Sequence, residues 1–261
     1  MDSPDELLGE SPELVAIRQS VHQLVNHVHR AGRLPPILIQ GETGTGKGLL
    51  AHLIHRTSAR RAGRFVDVNC AAIPESLLEA ELFGFERGAF TDARQAKPGL
   101  FQVAHTGTLF LDEIGLLPEG LQGKLLKAIE ERVVRRLGST RGERVDVSVV
   151  TASSEDLAAA TTTRRFRADL YHRLSVVTLR LPPLRERRAD IPLLAGHFLA
   201  RAWTAYGLPA GALEDDALRA LLDYSWPGNV RELCNVMERV ALPTEAPAVT
   251  AAGDTWAVVD T

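Results

Sequence analysis

Two short clusters in this chain combine residue types that could carry chemistry. The first is GETGTGKG, residues 41–48, set directly behind the apolar run ILIQ at 37–40. Gly41, Gly44 and Gly46 let backbone N–H groups turn toward phosphate oxygens, with Glu42, Thr43 and Thr45 between them, and Lys47 reaches the β and γ oxygens. A glycine-rich turn without a ligand is the plain alternative, but strand, spacing, lysine and following helix together match the context a phosphate loop needs. Where the general motif ends in Ser or Thr, this chain has Gly48, which offers no hydroxyl to a metal. The second cluster is TLFLDEI, 108–114, an apolar strand ending in Asp112 and Glu113. At the carboxyl edge of a sheet, beside a phosphate loop, Asp112 would hold Mg²⁺ through water and Glu113 would polarise an attacking water. An acidic pair after a strand, taken alone, also suits a plain helix N-terminus.

These groups need elements to position them, and the hydrophobic pattern supplies candidates. Strands are expected at 37–40, 65–69, 108–112, 145–151 and 176–181, all β-branched or aromatic and nearly continuous in apolarity. Such runs suit a parallel sheet covered on both faces. Helices are expected at 11–30, with Ser11 as N-cap and Pro12 at the first position, and at about 47–57, 74–82 and 119–132. The alternation implies an α/β three-layer domain over residues 1–185. After LPPLRER (181–187) the strands stop. Helical patterns at 190–206, 214–224 and 229–240 imply a small helical domain at 186–242, and 243–261 reads as a linker or tail.

Composition excludes several classes. With 45% hydrophobic and 24% charged residues the chain reads as an ordinary globular protein, and its net charge of −3 carries no basic nucleic-acid footprint. No apolar run approaches the ~20 residues of a membrane span. The acidic start MDSPDELLGE is no signal peptide, so a cytoplasmic protein without membrane partners is expected. Cys70 and Cys234 read as buried free thiols, and His52 and His55 as packing or surface residues without a zinc pattern.

Between the two clusters lies ELFGFERGAFTDA, 81–93. This segment closely resembles ELFGHEKGAFTGA, the remodelling loop of the bacterial enhancer-binding activators of sigma-54 RNA polymerase. The resemblance covers about residues 7–241 and places Gly88, Ala89, Phe90, Thr91, Asp92 and Ala93 on the partner-contact loop, with Phe90 and Thr91 touching the sigma factor. Phe90 packing into the helix beneath is the alternative. Asp92 stands where the family has Gly, and Gly48 where it usually has Glu. In FRADLYHRL (166–174), Arg167 and Arg173 match the family's intersubunit arginines; the plain alternative is solvated helix-face cations. In WPGNVREL (226–233), Arg231 matches the second sensor, which contacts the γ-phosphate from the helical lid, against the alternative of a plain helix start. Asn69 matches the residue that clamps the catalytic Glu until the loop engages its target. LLGESPEL (7–14) resembles the border of the adenine pocket, and LGSTRGER (137–144) a second pore-facing insertion. The first sensor differs: Ser153 and Ser154 replace the Thr–Asn pair of the family.

The resemblance implies a P-loop AAA+ fold of strand order 5-1-4-3-2 with a helical lid. It also implies an ATPase using ATP and Mg²⁺, assembly into a hexameric ring, and sigma-54 RNA polymerase holoenzyme as partner. No DNA-binding domain is expected within these residues. Two other readings stand beside it: an ATPase of the same family acting on a different protein, and a nucleotide-gated binding module without turnover.

Overall fold

Apolar runs rich in Val, Ile and Leu become strands here because only the interior of a parallel sheet buries both of their faces. In the computed structural model, which describes residues 7–28, 34–91 and 93–242, five such runs pair. They are β1 (Ile37–Gln40), β2 (Phe65–Asn69), β3 (Thr108–Asp112), β4 (Ser148–Ser153) and β5 (Val177–Arg180). Every pairing among them is parallel, in the order β2-β3-β4-β1-β5. Read from the other edge this is 5-1-4-3-2, the order the resemblance implies. Asp92, residues 29–30 of the first expected helix and the segment 243–261 lie outside the described residues.

One strand is displaced from its expected place. The run 145–151 forms β4 only from Ser148, and it continues to Ser153. At its start, Val145 N–H donates to the Arg132 carbonyl at 2.9 Å, which ties it to the short hairpin Val133–Arg135/Gly142–Arg144. At its end, Thr151, Ala152 and Ser153 find partners in Leu38, Ile39 and Gln40 of β1. Pairing, not apolarity, sets the limits of the strand.

The chain forms two compact units. The first gathers Ile17–Gly41 and Lys47–Arg180; the second gathers Leu7–Ala16, Glu42–Gly46 and the chain from Leu181. An opening helix α1 spans Pro12–Val28. In the first unit, α2 (Lys47–Thr57), α3 (Glu75–Phe83), α4 (Leu100–Val103), α5 (Glu119–Glu131), α6 (Leu157–Thr162) and α7 (Ala168–Leu174) accompany the sheet. Its core joins Leu38, Leu109 and Leu111 of the strands to Leu78, Leu82, Leu125, Leu170 and Leu174 of the helices. Helix α6, not anticipated from periodicity, starts where the Asp156 carboxylate accepts from Ala158 and Ala159 N–H. In the second unit, α8 (Ile191–Tyr206), α9 (Asp215–Asp223) and α10 (Asn229–Ala241) close around Trp226, fully buried, whose indole N–H donates to the Leu221 carbonyl at 2.8 Å. Burial of an indole contributes at most about 4–6 kcal/mol to that small core.

Cys70 is buried, as expected, and burial followed by the Asp112 and Glu113 charges pushes its thiol up to about 12. Cys234 is only half-buried, against expectation, and its sulfur accepts from the Arg201 guanidinium at 3.1 Å on an exposed part of the helical unit. Both are free thiols.

Candidate nucleotide site and insertion loops

The first unit draws its candidate residues to the carboxyl edge of the sheet by register. Asn69 pairs with Asp112 across β2 and β3, while Gln40 pairs with Ser153 across β1 and β4. Gly41 N–H donates to the Ser153 carbonyl at 3.2 Å, so the start of the glycine-rich loop is fixed to the end of β4. Lys47, the first residue of α2, is only 6% exposed. Its ammonium donates to the Gly41 carbonyl at 2.9 Å and lies 3.5 Å from Glu113 Oε1.

Glu113 leaves β3 in the left-handed conformation (φ 51°, ψ 47°), which is uncommon outside glycine and carries strain. Its N–H donates to Asp112 Oδ1 at 3.0 Å. Its own Oε2 accepts from the Ser154 hydroxyl at 2.6 Å and the Ser154 N–H at 3.2 Å. Burial acts to raise the Glu113 pKa, yet the two Ser154 bonds and the Lys47 ammonium outweigh it and hold it below the usual glutamate value. Burial and the neighbouring Glu113 charge push Asp112 upward, against the Glu113 N–H and Lys47. Asn69 does not reach Glu113: its Oδ1 accepts from Ala71 N–H at 2.8 Å. The partner of Glu113 that spacing could not reveal is Ser154, and only the match of Ser153 and Ser154 to the family's first sensor hinted at a position near the site.

The second unit holds the middle of the glycine-rich loop by groups from its own residues. Glu42 takes a two-pronged bond from the Arg185 guanidinium (2.6 and 2.8 Å) and another from the Asn229 amide at 3.2 Å. These bonds hold the Glu42 pKa down to about 2. Asn229 also donates to the Thr43 carbonyl at 3.0 Å, Arg187 to the Thr45 carbonyl at 2.8 Å, and Arg231 N–H to the Gly44 carbonyl at 3.3 Å. Gly44 has φ +81°, and a Cβ there would sit 2.3 Å from the Gly228 carbonyl oxygen, so only glycine fits. The Thr45 hydroxyl donates to the Glu42 carbonyl, closing the turn. Sequence reasoning found Arg231 but missed Arg185, Arg187 and Asn229, whose partners lie more than 140 residues away.

The remaining candidates are placed as follows. Arg167 caps α7 and is 46% exposed, its guanidinium on Asp169 (2.7 and 3.1 Å) while its N–H donates to the Gln122 side chain at 2.8 Å. Arg173 is half-buried, with Nε lacking a hydrogen-bond partner. Gly46 closes the turn with φ +105°, and Gly48 lies in α2 with open space where a side chain would stand. His55 is buried against the Thr108 hydroxyl at 2.9 Å, and His52 packs on Phe65 at 4.0 Å.

The segment 84–93 stands on a two-residue ladder, Gly84–Phe85 against Lys97–Pro98. Gly88 N–H donates to the Ala93 carbonyl at 2.8 Å and Ala93 N–H to Phe90 O at 2.9 Å. Ala93 is buried, Thr91 exposed, and Phe90 42% exposed, its ring 4.8 Å from that of Phe85. Phe90 thus has a partner within the loop while remaining partly exposed. The loop is also laced to the segment after α5: Glu86 N–H donates to Leu137 O at 3.0 Å and Leu137 N–H to Gly84 O at 2.9 Å.

A buried ammonium facing two carboxylates can bind a polyanion on one side and hold a water on the other. The donors also suit a hard divalent cation. Burial disfavours charge on Asp112, which a cation would offset, and Oδ2 makes no hydrogen bond among the described residues. No group of three or more His, Cys, Asp or Glu that could hold a metal ion exists among the described residues.

The sheet order, the glycine-rich loop after β1 and the acidic pair at the end of β3 define an AAA+ ATPase domain. The family model of the sigma-54 interaction domain matches residues 7–180, and that of an AAA+ ATPase lid domain matches 185–253. This chain belongs to the sigma-54 interaction domain family. The response regulator PilR of Pseudomonas aeruginosa is 50% identical over 235 residues, covering 90% of this chain and 52% of that protein. The Nif-specific regulatory protein of Herbaspirillum seropedicae is 44% identical over 246 residues, covering 94% of this chain and 44% of that protein. The chain therefore spans about half the length of these curated relatives. NtrX of Brucella abortus, solved in complex with ATP, superposes with a TM-score of 0.81 at 36% identity, over 90% of this chain and 50% of NtrX. The Thermotoga maritima RuvB branch-migration motor, at 17% identity and a TM-score of 0.57, over 91% of this chain and 64% of that one, shares the fold alone. Among the described residues no helix is long and apolar enough to cross a membrane.

Proposed function

We propose that this chain is the motor of a sigma-54-dependent transcription activator, hydrolysing ATP to ADP and phosphate and using the cycle to remodel the closed sigma-54 RNA polymerase complex. The observation that carries this reading is the buried Lys47 ammonium 3.5 Å from Glu113, with Asp112 beside it at the end of β3. In the proposed roles, backbone N–H groups of residues 41–48 and the Lys47 ammonium take the β and γ phosphates. Asp112 would hold Mg²⁺, and the cation when bound would neutralise charge across those phosphates. Glu113 accepts a proton from the water that attacks the γ-phosphorus, and the bond to the β-bridging oxygen breaks. Glu113 must leave Lys47 for this, and an arriving phosphate competes for that same ammonium.

A hexameric ring is proposed because the Arg167 guanidinium is exposed and, among the described residues, hydrogen-bonds to its near neighbour Asp169, so it can serve an adjoining subunit. An arginine supplied in this way accelerates other nucleotide hydrolases by ~10³–10⁵. We assign Arg173 the same side of the interface and Arg231 to the γ-phosphate. We place the nucleotide domain at 1–185, the lid at 186–242 and a linker at 243–261, in a cytoplasmic protein. Phe90 and Thr91 would meet the sigma factor. The carboxylate of Asp92 favours a second reading, in which the same ATPase engages a different protein. Capture of sigma-54 by this chain trapped with ADP and aluminium fluoride separates the two: retention supports the activator, and ATPase turnover without retention supports another partner.

A further inference from the structure

Ser154 is the residue of this chain that differs in kind from the family's first sensor and also touches the site. It presents two donors, hydroxyl and N–H, to one oxygen of Glu113. Its backbone is fixed on both sides. The neighbouring Ser153 carbonyl accepts from Gly41 N–H. The Ser153 hydroxyl donates to the Glu155 carbonyl at 2.8 Å, and its oxygen accepts from Glu155 N–H at 3.1 Å. Glu155 is ion-paired to Arg165, two residues before Arg167. The turn after β3 comes close because residue 115 is glycine: a Cβ there would lie 3.2 Å from the Glu155 carboxylate and 3.3 Å from the Ser153 hydroxyl. Ser154 is therefore a preformed two-donor seat, while Asn69 is turned onto Ala71.

We propose that Ser154 is a positioning residue that restrains Glu113 in its resting pose, taking the part that the resemblance gives to Asn69. A carboxylate oxygen accepting two hydrogen bonds has little capacity left for a water proton, and Lys47 stands against the other oxygen. The restraint is tied by covalent sequence and by the Glu155–Arg165 pair to the segment carrying Arg167, not to the loop carrying Phe90. Release of Glu113 is thus governed from the arginine-bearing side. The proposal rests on Glu113 being the water-activating group.

The test is steady-state ATPase on Ser154→Ala, Ser154→Thr and Glu113→Gln, each checked for its thermal midpoint. Ser154→Ala removes the hydroxyl bond and should raise kcat about three- to tenfold with KM within twofold. Ser154→Thr restores the hydroxyl and should bring kcat back toward the parent. A kcat of Ser154→Ala equal to or below the parent overturns the restraint, as does a threonine variant that behaves like alanine. If Glu113→Gln is inactive in that case, only the Ser154 proposal falls. If Glu113→Gln hydrolyses ATP at the parent rate, the base assignment falls and the restraint with it.

Discussion

The carboxyl edge of the sheet and the loop at 84–93 in the first unit are built on opposite plans. At the edge, the strand ends are set by parallel register, Asn69 beside Asp112 and Gln40 beside Ser153. The layer beneath, Leu38, Leu109 and Leu111, is wholly excluded from solvent. The loop at 84–93 instead stands on a two-residue ladder and a few turn hydrogen bonds, with its aromatic tip 42% exposed. The contrast teaches a division of labour. Phosphate chemistry needs positions held within fractions of an ångström, and a sheet core supplies them. A partner contact needs exposed apolar surface, which a core cannot offer.

The contrast can be broken most forcefully at Glu113. Glu113→Ala should retain ATP binding and lose turnover by roughly a hundredfold or more, whereas Lys47→Ala should lose ATP binding itself. Fluorescent-nucleotide titration beside a phosphate-release assay distinguishes the two losses, and parent-rate hydrolysis by Glu113→Ala refutes the assignment. Next in size is Phe90→Ala, which should abolish analogue-dependent capture of sigma-54 while moving unfolding free energy by no more than about 0.5–1 kcal/mol. Leu111→Ala, one residue before the acidic pair and fully buried, should by contrast destabilise by about 2–5 kcal/mol in chemical denaturation. Equal stability effects at positions 90 and 111 would erase the contrast. Asp92→Gly removes a carboxylate beside the contact residues and should strengthen capture by only a few-fold; unchanged capture makes Asp92 a tolerated turn residue.

The smallest effect concerns Glu42. Its folded pKa of about 2 lies below its ordinary value of 4.5. Its contribution to stability is therefore complete above about pH 4.5 and fades as pH falls toward 2. Arg185→Ala should flatten that stretch of the stability curve by under about 1 kcal/mol, because the pair is exposed. An unaltered acid-unfolding profile would remove Arg185 as the cause.

Local pattern made the sheet legible. β1, β2 and β3 fall where their apolar runs predict, since a buried strand has to be nearly all apolar, and β5 lies within its run. β4 was misplaced at its start because Val145 spends its N–H on the Arg132 carbonyl and Asp146 bonds Thr106, His105 and Arg60 rather than a neighbouring strand. The phosphate loop and acidic pair were visible because spacing alone defines them. Ser154 on Glu113 and Arg185 on Glu42 were not, since each joins residues 41 and 143 apart and neither residue type announces its partner. Asp92, legible as a departure from the family's loop, lies outside the described residues.

The lacing of Glu86 to Leu137 and of Leu137 to Gly84 uses main-chain atoms only. No ordinary side-chain replacement can cut it; a proline at position 86, which deletes the donor, would. The two segments are accordingly yoked, so displacing the backbone at 84–86 must also displace the strap beyond α5.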